Sequence, residues 1–434
     1  MMTRRQALMS LLFGTGLVGL RALATGLPAA FFLNPRRACA NSTCAPSDKA
    51  QYFIFNTSGS GDPLNASVPG TYDDPNIVHS LDPSMQPTPI TIGGQNVTAA
   101  LPWASLSPSV LERTCFFHLM TNTPIHPKEP DVLKLMGATR AGQMLPSLLA
   151  KQVAACLGTI QTQPISLGAS SPAEALNYDG TALPIIPPLA LKSTLTSPAG
   201  PLTNLQPLRD QTLSQIYELY KTDATAAERK YIDNWTATQQ QVRSLNQSLL
   251  SALNSIKDNS VQSQIVAAIV LIQMNVTPVI AVHIPFGGDN HRDIGLAIET
   301  QQTVSGVASL VSLMQQLSSA GLNDRVSFAS LNVFGRTLGR GNADGRQHNP
   351  NHQVSLLIGK PFRGGVVGGV ASLKDDYGAL PIDAVSGAGL ASGNISPADT
   401  LASFGRTLLA SVGTDSAAIA TEIPSGQVVQ GALA

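Results

Sequence analysis

The sequence is poor in charged residues and in cysteine, and each shortage narrows the range of functions. Only 12% of the 434 residues are charged, and 27 basic side chains balance 27 acidic ones. This balance provides no basic surface for nucleic acid or for an anionic membrane, so we expect no nucleic-acid partner. The four cysteines include no C-x-x-C pair, which argues against a thiolate metal cluster.

Catalytic signatures that depend on glycine-rich turns are also missing. The chain has no G-x-S-x-G elbow, no Walker loop and no G-x-G-x-x-G sequence after a strand. A serine hydrolase of the elbow type and a nucleotide-binding enzyme are therefore unsupported. Flavin, haem and nicotinamide motifs are missing as well, so an exported redox enzyme has no support beyond the leader sequence described next.

The first 40 residues have the three parts of a secretory signal. A paired arginine at positions 4 and 5 precedes an apolar stretch, and the small-x-small triplet Ala38-Cys39-Ala40 follows it. The paired arginine indicates the twin-arginine route, which exports folded proteins. The alternative is an uncut membrane anchor, but Arg21 lies where the middle of the span would be. We predict cleavage after this triplet and a periplasmic or secreted mature protein.

The mature chain, residues 41–434, is long enough for one large α/β domain or two ordinary ones. No apolar run in it is long enough to span a bilayer, because the stretch Ile265–Met274 has only about half the required length. Three cysteines remain: Cys44, Cys115 and Cys156. In an oxidising compartment Cys115 and Cys156 are the first pair to test for a disulfide, and the alternative is that they are small buried apolar residues.

Strands and helices alternate in the C-terminal half of the chain. The pattern predicts a helix at Ile265–Asn275, a strand at Pro278–Ile284, a helix at about Leu296–Ala320 that stops at Gly321, and a strand at Val326–Val333. Alternation at these lengths predicts a mainly parallel sheet with helices on both faces. Such sheets bind ligands at the carboxyl ends of their strands, so we expect a site in the loops that follow these strands.

The N-terminal half is less regular. Strands are predicted at Gln51–Phe55 and at Cys115–Met120, and residues 63–110, rich in Pro and Gly, are interpreted as long excursions with little regular structure. From Leu205 to Asn259 apolar residues fall at helical spacing, which predicts a helical insertion that packs on the main domain or forms a lobe over it. The two apolar stripes consist of Leu208, Leu213, Ile216, Leu219 and Tyr220, and of Val242, Leu245, Leu249, Leu253 and Ile256.

The seven histidines are the best guide to the chemistry. His291 follows Asp289 in one predicted strand-end loop, and His348 and His352 lie four residues apart in another. Asp and His are ligands of Zn²⁺ and Mn²⁺, so these two loops predict a divalent metal site of the Zn or Mn class. The alternative is that these are exposed loop residues bound to water or to the backbone.

Other side chains near predicted strand ends could take part in catalysis or in ligand binding. His126 follows the second predicted strand and is the best remaining histidine for a catalytic role, whereas His118 and His283 lie inside strands and are interpreted as core residues. Arg336 follows a strand, where its guanidinium could bind a phosphate or sulfate bidentately or could pin the loop through a salt bridge. The hydroxyls of Thr57, Ser58 and Ser60 could supply a nucleophile, although small polar residues in such loops usually make turns.

Three short motifs resemble those of a large bacterial family that is often exported by the twin-arginine route. Gly287–His291 resembles the family's G-W-D-T-H, Phe334–Thr337 resembles E-F-G-R-T, and Gly345–Asn349 resembles G-R-D-H-W. The segments Phe362–Gly369 and Ile395–Leu409 look like the glycine-rich strand and the closing helix that follow. This family is the domain of unknown function numbered fifteen-oh-one, which is grouped with the sulfatases and alkaline phosphatases.

The resemblance implies an alkaline phosphatase/sulfatase-like three-layer fold, with residues 41–434 as a single domain and 205–259 as its helical insertion. It also implies descent from metal-dependent hydrolases that hold divalent ions with Asp and His at strand ends. Asp289, His291 and His348 keep a ligand-type side chain at the matched positions.

The chain departs from the family motifs at two carboxylate and two tryptophan positions. Val333 and Gln347 replace a glutamate and an aspartate, and Gly288 and Asn349 replace tryptophans. Each lost carboxylate removes charge from a site that must neutralise a dication, so a reduced site is expected to hold one metal or none.

Two hypotheses therefore stay open. In the first, the chain is an exported hydrolase of phosphate or sulfate esters, in which Asp289, His291, His348 and His352 hold one metal ion and Arg336 clamps a small anionic ester. In the second, it is a non-catalytic descendant that keeps the fold as a scaffold or binding partner of an envelope protein.

Overall fold

The computed structural model describes residues 49–169, 174–196, 206–225, 229, 232–233, 247–339, 341 and 343–434. The predicted signal peptide at residues 1–40, its cleavage point and Cys44 lie outside the described residues. Within the described part, none of the helices combines the length and the apolar character needed to cross a membrane.

A central sheet runs through the described part of the chain. Its strands are β1 (Tyr52–Ser58), β2 (Thr114–Leu119), β3 (Ile165–Ser166), β4 (Val279–Val282), β5 (Val326–Asn332), β6 (Gln353–Ile358) and β7 (Gly365–Val367). Their order across the sheet is β7–β2–β6–β5–β1–β4–β3. Of these seven described strands, six run in one direction and β6 runs in the opposite one. Every residue of β1, β2, β4, β5 and β6 is buried, as expected for strands covered on both faces.

Helices and short hairpins surround this sheet. The described helices are α1 (Pro108–Leu111), α2 (Glu129–Leu133), α3 (Leu145–Leu157), α4 (Pro188–Thr196), α5 (Gln206–Asp223), α6 (Gln247–Ser255), α7 (Val261–Gln273), α8 (Ala297–Ser319), α9 (Thr400–Ser411) and α10 (Ser416–Glu422). The hairpins pair Pro87–Ile92 with Gln95–Ala100, Asn177–Tyr178 with Thr181–Ala182, Gly335–Arg336 with His348–Asn349, and Val370–Ser372 with Tyr377–Ala379.

Two neighbouring aromatic residues of β2 show that both faces of the sheet are covered. Successive side chains of a strand point to opposite faces. Phe117 packs edge to face on Phe404 of α9, with ring centroids 5.5 Å apart. Phe116 packs in the same manner on Trp103, at 5.2 Å, in the layer that also contains α8. The predicted mixed α/β architecture, with a mostly parallel sheet and helices on both sides, is therefore confirmed.

The reversed strand β6 has a topological cause. A parallel neighbour requires a crossover connection, usually a helix, whereas an antiparallel neighbour can follow a short turn. The described part of the connection between β5 and β6 contains the hairpin of Gly335–Arg336 and His348–Asn349, and the chain enters β6 directly after that hairpin. As a result, β6 begins at the same edge of the sheet at which β1, β4 and β5 end.

The observed elements can be compared with the predicted ones in three places. The predicted helix at Leu296–Ala320 is α8, and Gly321 beyond it has a φ of +67°, as a helix stop requires. The segment 63–110, expected to be irregular, contains the hairpin Pro87–Ala100. The closing helix expected at Ile395–Leu409 begins later, as α9, at Thr400.

The structure describes helices in part of the range predicted as a helical insertion. Helices α5 and α6 fall inside the predicted range, and α6 packs against α4 and α7 of the main domain. The first stripe is partly wrong, because Ile216 and Leu219 are exposed and Tyr217 is buried instead. Leu253 and Ile256 of the second stripe are buried, and Val242 and Leu245 lie outside the described residues.

The cysteine pair proposed for a first disulfide test is not bonded. Cys115 is a free thiol buried in β2, and Cys156 lies on α3. Burial raises the pKa of the Cys115 thiol to about 12, so this residue behaves as the small apolar group that the sequence offered as the alternative.

His118 and His352 form a buried pair beneath the edge at which β6 begins. His118 Nε2 lies 3.0 Å from the carbonyl oxygen of Pro69, which can only accept, so the proton of His118 is on Nε2. Its Nδ1 therefore accepts from His352 Nε2 at 2.9 Å, and His352 Nδ1 accepts from Asn65 Nδ2 at 3.3 Å. This one-way chain of hydrogen bonds requires both imidazoles to be neutral.

Burial also lowers the pKa of both rings. It lowers the pKa of His118 to about 4, and burial together with the neighbouring His118 lowers the pKa of His352 well below its usual value. A histidine with a depressed pKa stabilises the fold above its unfolded-state pKa of 6.5 and loses that contribution as pH falls toward the folded value. Protonation linked to His118 lowers the free energy of unfolding by about 2 kcal/mol between pH 7 and 5.

We predict that His118→Gln reduces the acid sensitivity of the fold. Glutamine keeps an amide donor for Pro69 but cannot be protonated in this range. With a chelator present, the free energy of unfolding should decrease between pH 7 and 5 in both proteins. The decrease should be about 2 kcal/mol smaller in the variant than in wild type. Urea unfolding at the two pH values measures this difference.

The matched control is His283→Gln, which leaves the buried pair intact and should lose as much stability in acid as wild type. Equal losses in wild type and His118→Gln would show that acid acts on another group.

Candidate metal centre

Four loops meet at the edge of the sheet where the strands end and β6 begins. Asp289 and His291 lie in the loop after β4, and His348 lies in the hairpin that leads into β6. His126 opens a short 3₁₀ turn after β2. The backbone of Gly59 follows β1 and contacts this group. The sheet topology thus brings together residues that are more than 200 positions apart in sequence.

The donor atoms of these side chains converge. His126, Asp289, His291 and His348 each offer one ligand atom, and these four atoms lie within 4.8 Å of one another. His291 Nε2 is 2.7 Å from His348 Nε2, and each of His126 Nε2 and His291 Nε2 is 3.4 Å from an oxygen of Asp289. The three histidines are partly exposed and Asp289 is about half exposed, so the cluster is open to solvent.

Each of the three imidazoles is oriented by an oxygen on its outer side. Nδ1 of His126 donates to the Gly59 carbonyl at 2.7 Å, Nδ1 of His291 donates to Gln347 Oε1 at 3.0 Å, and Nδ1 of His348 donates to the Pro124 carbonyl. These acceptors place a proton on Nδ1 and turn the Nε2 atoms toward one another. Histidine ligands of metals are oriented in this way, so the site fits a metal ion.

Two further features suit a cation at this position. His126 Nε2 is buried and has no hydrogen-bond partner in the described structure. His291 Nε2 and His348 Nε2, 2.7 Å apart, share a proton in a hydrogen bond, and a bound cation would take the place of that proton and would also satisfy His126 Nε2. Desolvation lowers the pKa of His348 and the charge of Arg336 lowers it further, whereas the hydrogen bond to the Pro124 carbonyl raises it, and this pKa lies below its usual value.

Arg336 holds the carboxylate of the cluster. Its Nη2 donates to Asp289 Oδ1 at 2.8 Å and to the Ser60 carbonyl at 2.6 Å, and its Nε donates to Gly61. Burial by itself raises the pKa of Asp289, but the hydrogen bond and charge of Arg336 outweigh it, so this pKa lies below its usual value. Asp289 is therefore ionised at neutral pH.

The burial of Arg336 decides between the two roles that the sequence allows. Its side chain is 0% exposed, and its N–H groups are directed at Asp289 and at backbone carbonyls of the protein. It pins the loop and positions Asp289, and in this arrangement it is closed to an anionic ester. The anion clamp predicted at Arg336 is not what the geometry supports.

A second buried arginine joins the two loops that carry His291 and His348. Arg346 Nε and Nη2 donate to both oxygens of Glu299, at 2.7 and 3.0 Å, and both side chains are almost fully buried. Asn290 also donates to Glu299, and its carbonyl accepts from the Arg346 backbone. The loops approach so closely that a Cβ on Gly345, with φ of +127°, would lie 2.4 Å from the His291 carbonyl.

The structure brings three of the four predicted ligands together and places the fourth elsewhere. Asp289, His291 and His348 meet, as expected, and His126 joins them as a fourth donor. His352 does not, because it is 0% exposed and its two nitrogens bond to His118 and Asn65. The expectation that His118 is a satisfied core histidine is confirmed.

The hydroxyls at the end of β1 and in the loop after it differ in access to solvent. Thr57 and Ser58 are buried, and the Ser58 hydroxyl donates to Asp62. Ser60 is partly exposed, between two glycines whose carbonyls accept from His126 and Arg336. Ser60 is therefore the hydroxyl of this set with access to solvent beside the cluster.

Sequence reasoning misses the residues that orient the ligands. Gln347, Gly59 and Pro124 act through a side-chain amide or a backbone carbonyl, and none belongs to a residue type that suggests a metal site. Gln347 stands where the resembling motif has aspartate, and it contacts a ligand rather than serving as one. Loss of that carboxylate therefore leaves the donor set intact.

Neither a protein-family model nor a curated protein matches this chain. The likeness to a family rests on the quoted motifs, and these supply Asp289, His291, Arg336, Arg346 and His348, which all lie at this edge of the sheet.

We predict that Gln347→Leu weakens zinc binding about tenfold, because His291 loses the acceptor that orients its ring. Competition with a chromophoric chelator at pH 7.5 measures the Kd. Gln347→Glu keeps an oxygen acceptor and should bind zinc at least as tightly as wild type. Unchanged affinity in the leucine variant would mean that His291 is not a ligand.

Proposed function

We propose that this chain is a metal-dependent hydrolase of phosphate or sulfate esters that is exported by the twin-arginine route. The observation that supports this function is the convergence of three imidazole nitrogens and one carboxylate oxygen within 4.8 Å, at a solvent-open edge of the sheet. Sites in mostly parallel sheets lie at this edge.

His126, Asp289, His291 and His348 would hold the ion. Three nitrogens and one oxygen form a donor set of the kind used by Zn²⁺ and Mn²⁺, and three or four protein ligands leave room for a substrate or water. A metal bound there supplies a Lewis acid and lowers the pKa of a bound water or hydroxyl.

The chain's own residues prepare this chemistry. Arg336 keeps Asp289 ionised and fixes one of its oxygens, at 2.8 Å, which leaves the other directed toward His126. Gly59 and Pro124 hold two of the imidazoles by backbone carbonyls, which cannot change their charge. The partly exposed Ser60 hydroxyl is our candidate for a nucleophile, since Thr57 and Ser58 are buried.

The resemblance to the sulfatases and alkaline phosphatases supports the same proposal at the level of the fold. The motif residues Asp289, His291 and His348 supply three of the four donors, and Arg336 orients one of them. We propose the alkaline phosphatase/sulfatase-like three-layer arrangement for residues 41–434 on this basis, with the helical insertion as an addition to it.

A second candidate function is supported by the burial of Arg336. Ester hydrolysis benefits from a cation that binds the anionic group, and Arg336 is engaged with the protein instead. A protein that keeps the fold and the metal centre as a scaffold or binding partner for an envelope protein does not need that cation.

We predict that the protein contains close to one equivalent of zinc or manganese and hydrolyses para-nitrophenyl phosphate or para-nitrophenyl sulfate. The double variant His291→Ala/His348→Ala should lose the metal and at least about a hundredfold in rate, because two of the donors are gone. Mass spectrometry of bound metal and absorbance of released nitrophenol are the measurements.

The control variant is His283→Gln, which removes a histidine outside the cluster and should keep both metal and activity. Metal without hydrolysis of either ester would support the scaffold function. A protein free of metal, after purification and after incubation with zinc or manganese, would refute both the centre and the hydrolase.

A further inference from the structure

Glu129 is a buried carboxyl group that the metal centre does not use. It is the first residue of α2, its side chain is 1% exposed, and neither Oε1 nor Oε2 has a hydrogen-bond partner in the described structure. Burial raises the pKa of Glu129 well above its usual value, and the charge of Glu174 raises it further. An unsatisfied buried carboxyl is costly, so the group requires a ligand or a proton.

Two other unsatisfied side chains lie at the same edge of the sheet. Gln353, the first residue of β6, is 1% exposed, and both of its amide atoms lack a partner. Thr121 follows β2 by two residues, is 1% exposed, and has an unsatisfied Oγ1. Leu119 of β2 pairs with Gln353, so both ends reach this edge together.

Glu129 and Gln353 lie on the same side of the sheet. Gln353 is opposite Leu119, which shares a face with Phe117, two residues earlier, and Phe117 packs on α9. Helix α2 packs against β5, and Leu135 just beyond it lies against Gly405 of α9. The side covered by α9 thus holds the unsatisfied carboxyl and the unsatisfied amide.

A proton alone does not satisfy this group of atoms. A neutral Glu129 carboxyl would still have an O–H without an acceptor and a C=O without a donor, and the amide and hydroxyl would stay unpaired. A cation satisfies carboxylate, amide and hydroxyl oxygens at once and offsets the buried negative charge. Oxygen ligands of this kind are those of Ca²⁺ and Mg²⁺ rather than of zinc.

We propose that Glu129, Gln353 and Thr121 form a second cation site, specific for a hard divalent ion such as Ca²⁺ or Mg²⁺, with Glu174 beside it. Glu174 Oε1 accepts from the Gly59 amide at 3.1 Å, while the Gly59 carbonyl accepts from His126. The site lies under the turn that carries His126, and it serves to hold that turn rather than to bind substrate. It does not depend on the hydrolase function.

The test is thermal unfolding of the purified protein after EDTA treatment, with CaCl₂ and MgCl₂ added separately. Wild type and the double variant His291→Ala/His348→Ala should both gain roughly 2–4 °C in Tm at a hundredfold excess over Kd, because the second site is intact in both. Glu129→Gln, which keeps the shape and removes the charge, should show no gain.

A second variant, Thr121→Val, is included in case Glu129→Gln does not fold. It should show a smaller gain in Tm than wild type, because it removes one oxygen ligand. No gain in wild type with either salt would overturn the proposal, and a higher Tm for Glu129→Gln in EDTA would then identify a protonated carboxyl. An undiminished gain in both Glu129→Gln and Thr121→Val would place the cation elsewhere and would also overturn it.

Discussion

The buried guanidinium of Arg336 is the interaction on which the arrangement of the site depends. It donates to Ser60 and Gly61 of the loop after β1 and to Asp289 of the loop after β4, and it approaches the Arg346 carbonyl of the hairpin before β6. One cation thus fixes three loops that the sheet only brings near each other. Burial of such a group is tolerable because the protein supplies an acceptor for nearly every donor.

Much of the fold can be predicted from the sequence because the relevant signals are local. Buried strands such as Val279–Val282 appear as apolar, β-branched runs, and α8 ends where Gly321 allows a positive φ. The position of Asp289 and His291 after a strand was enough to expect them at the carboxyl edge. These inferences need only short windows of sequence and the geometry of parallel sheets.

The remaining features depend on long-range contacts that no local pattern encodes. The direction of β6 follows from the hairpin before it rather than from its own residues. The same hairpin brings His348 to the cluster. His352, four residues later and immediately before β6, faces His118 in the core instead. His126 becomes a donor because Gly59, on a different loop, turns its ring. Spacing in the sequence is a poor measure of such distances.

The presence of a single carboxylate in the cluster has an electrostatic consequence. As ligands of one ion, three imidazoles supply no charge and Asp289 supplies one negative charge, while the neighbouring Gln347 adds none. A divalent ion at this position would therefore leave an excess positive charge at the surface of a protein whose formal net charge is zero. Because about half of Asp289 is exposed, this charge would act on solvent, over the roughly 8 Å that physiological salt permits. An ion bound here would attract anions to this edge of the sheet.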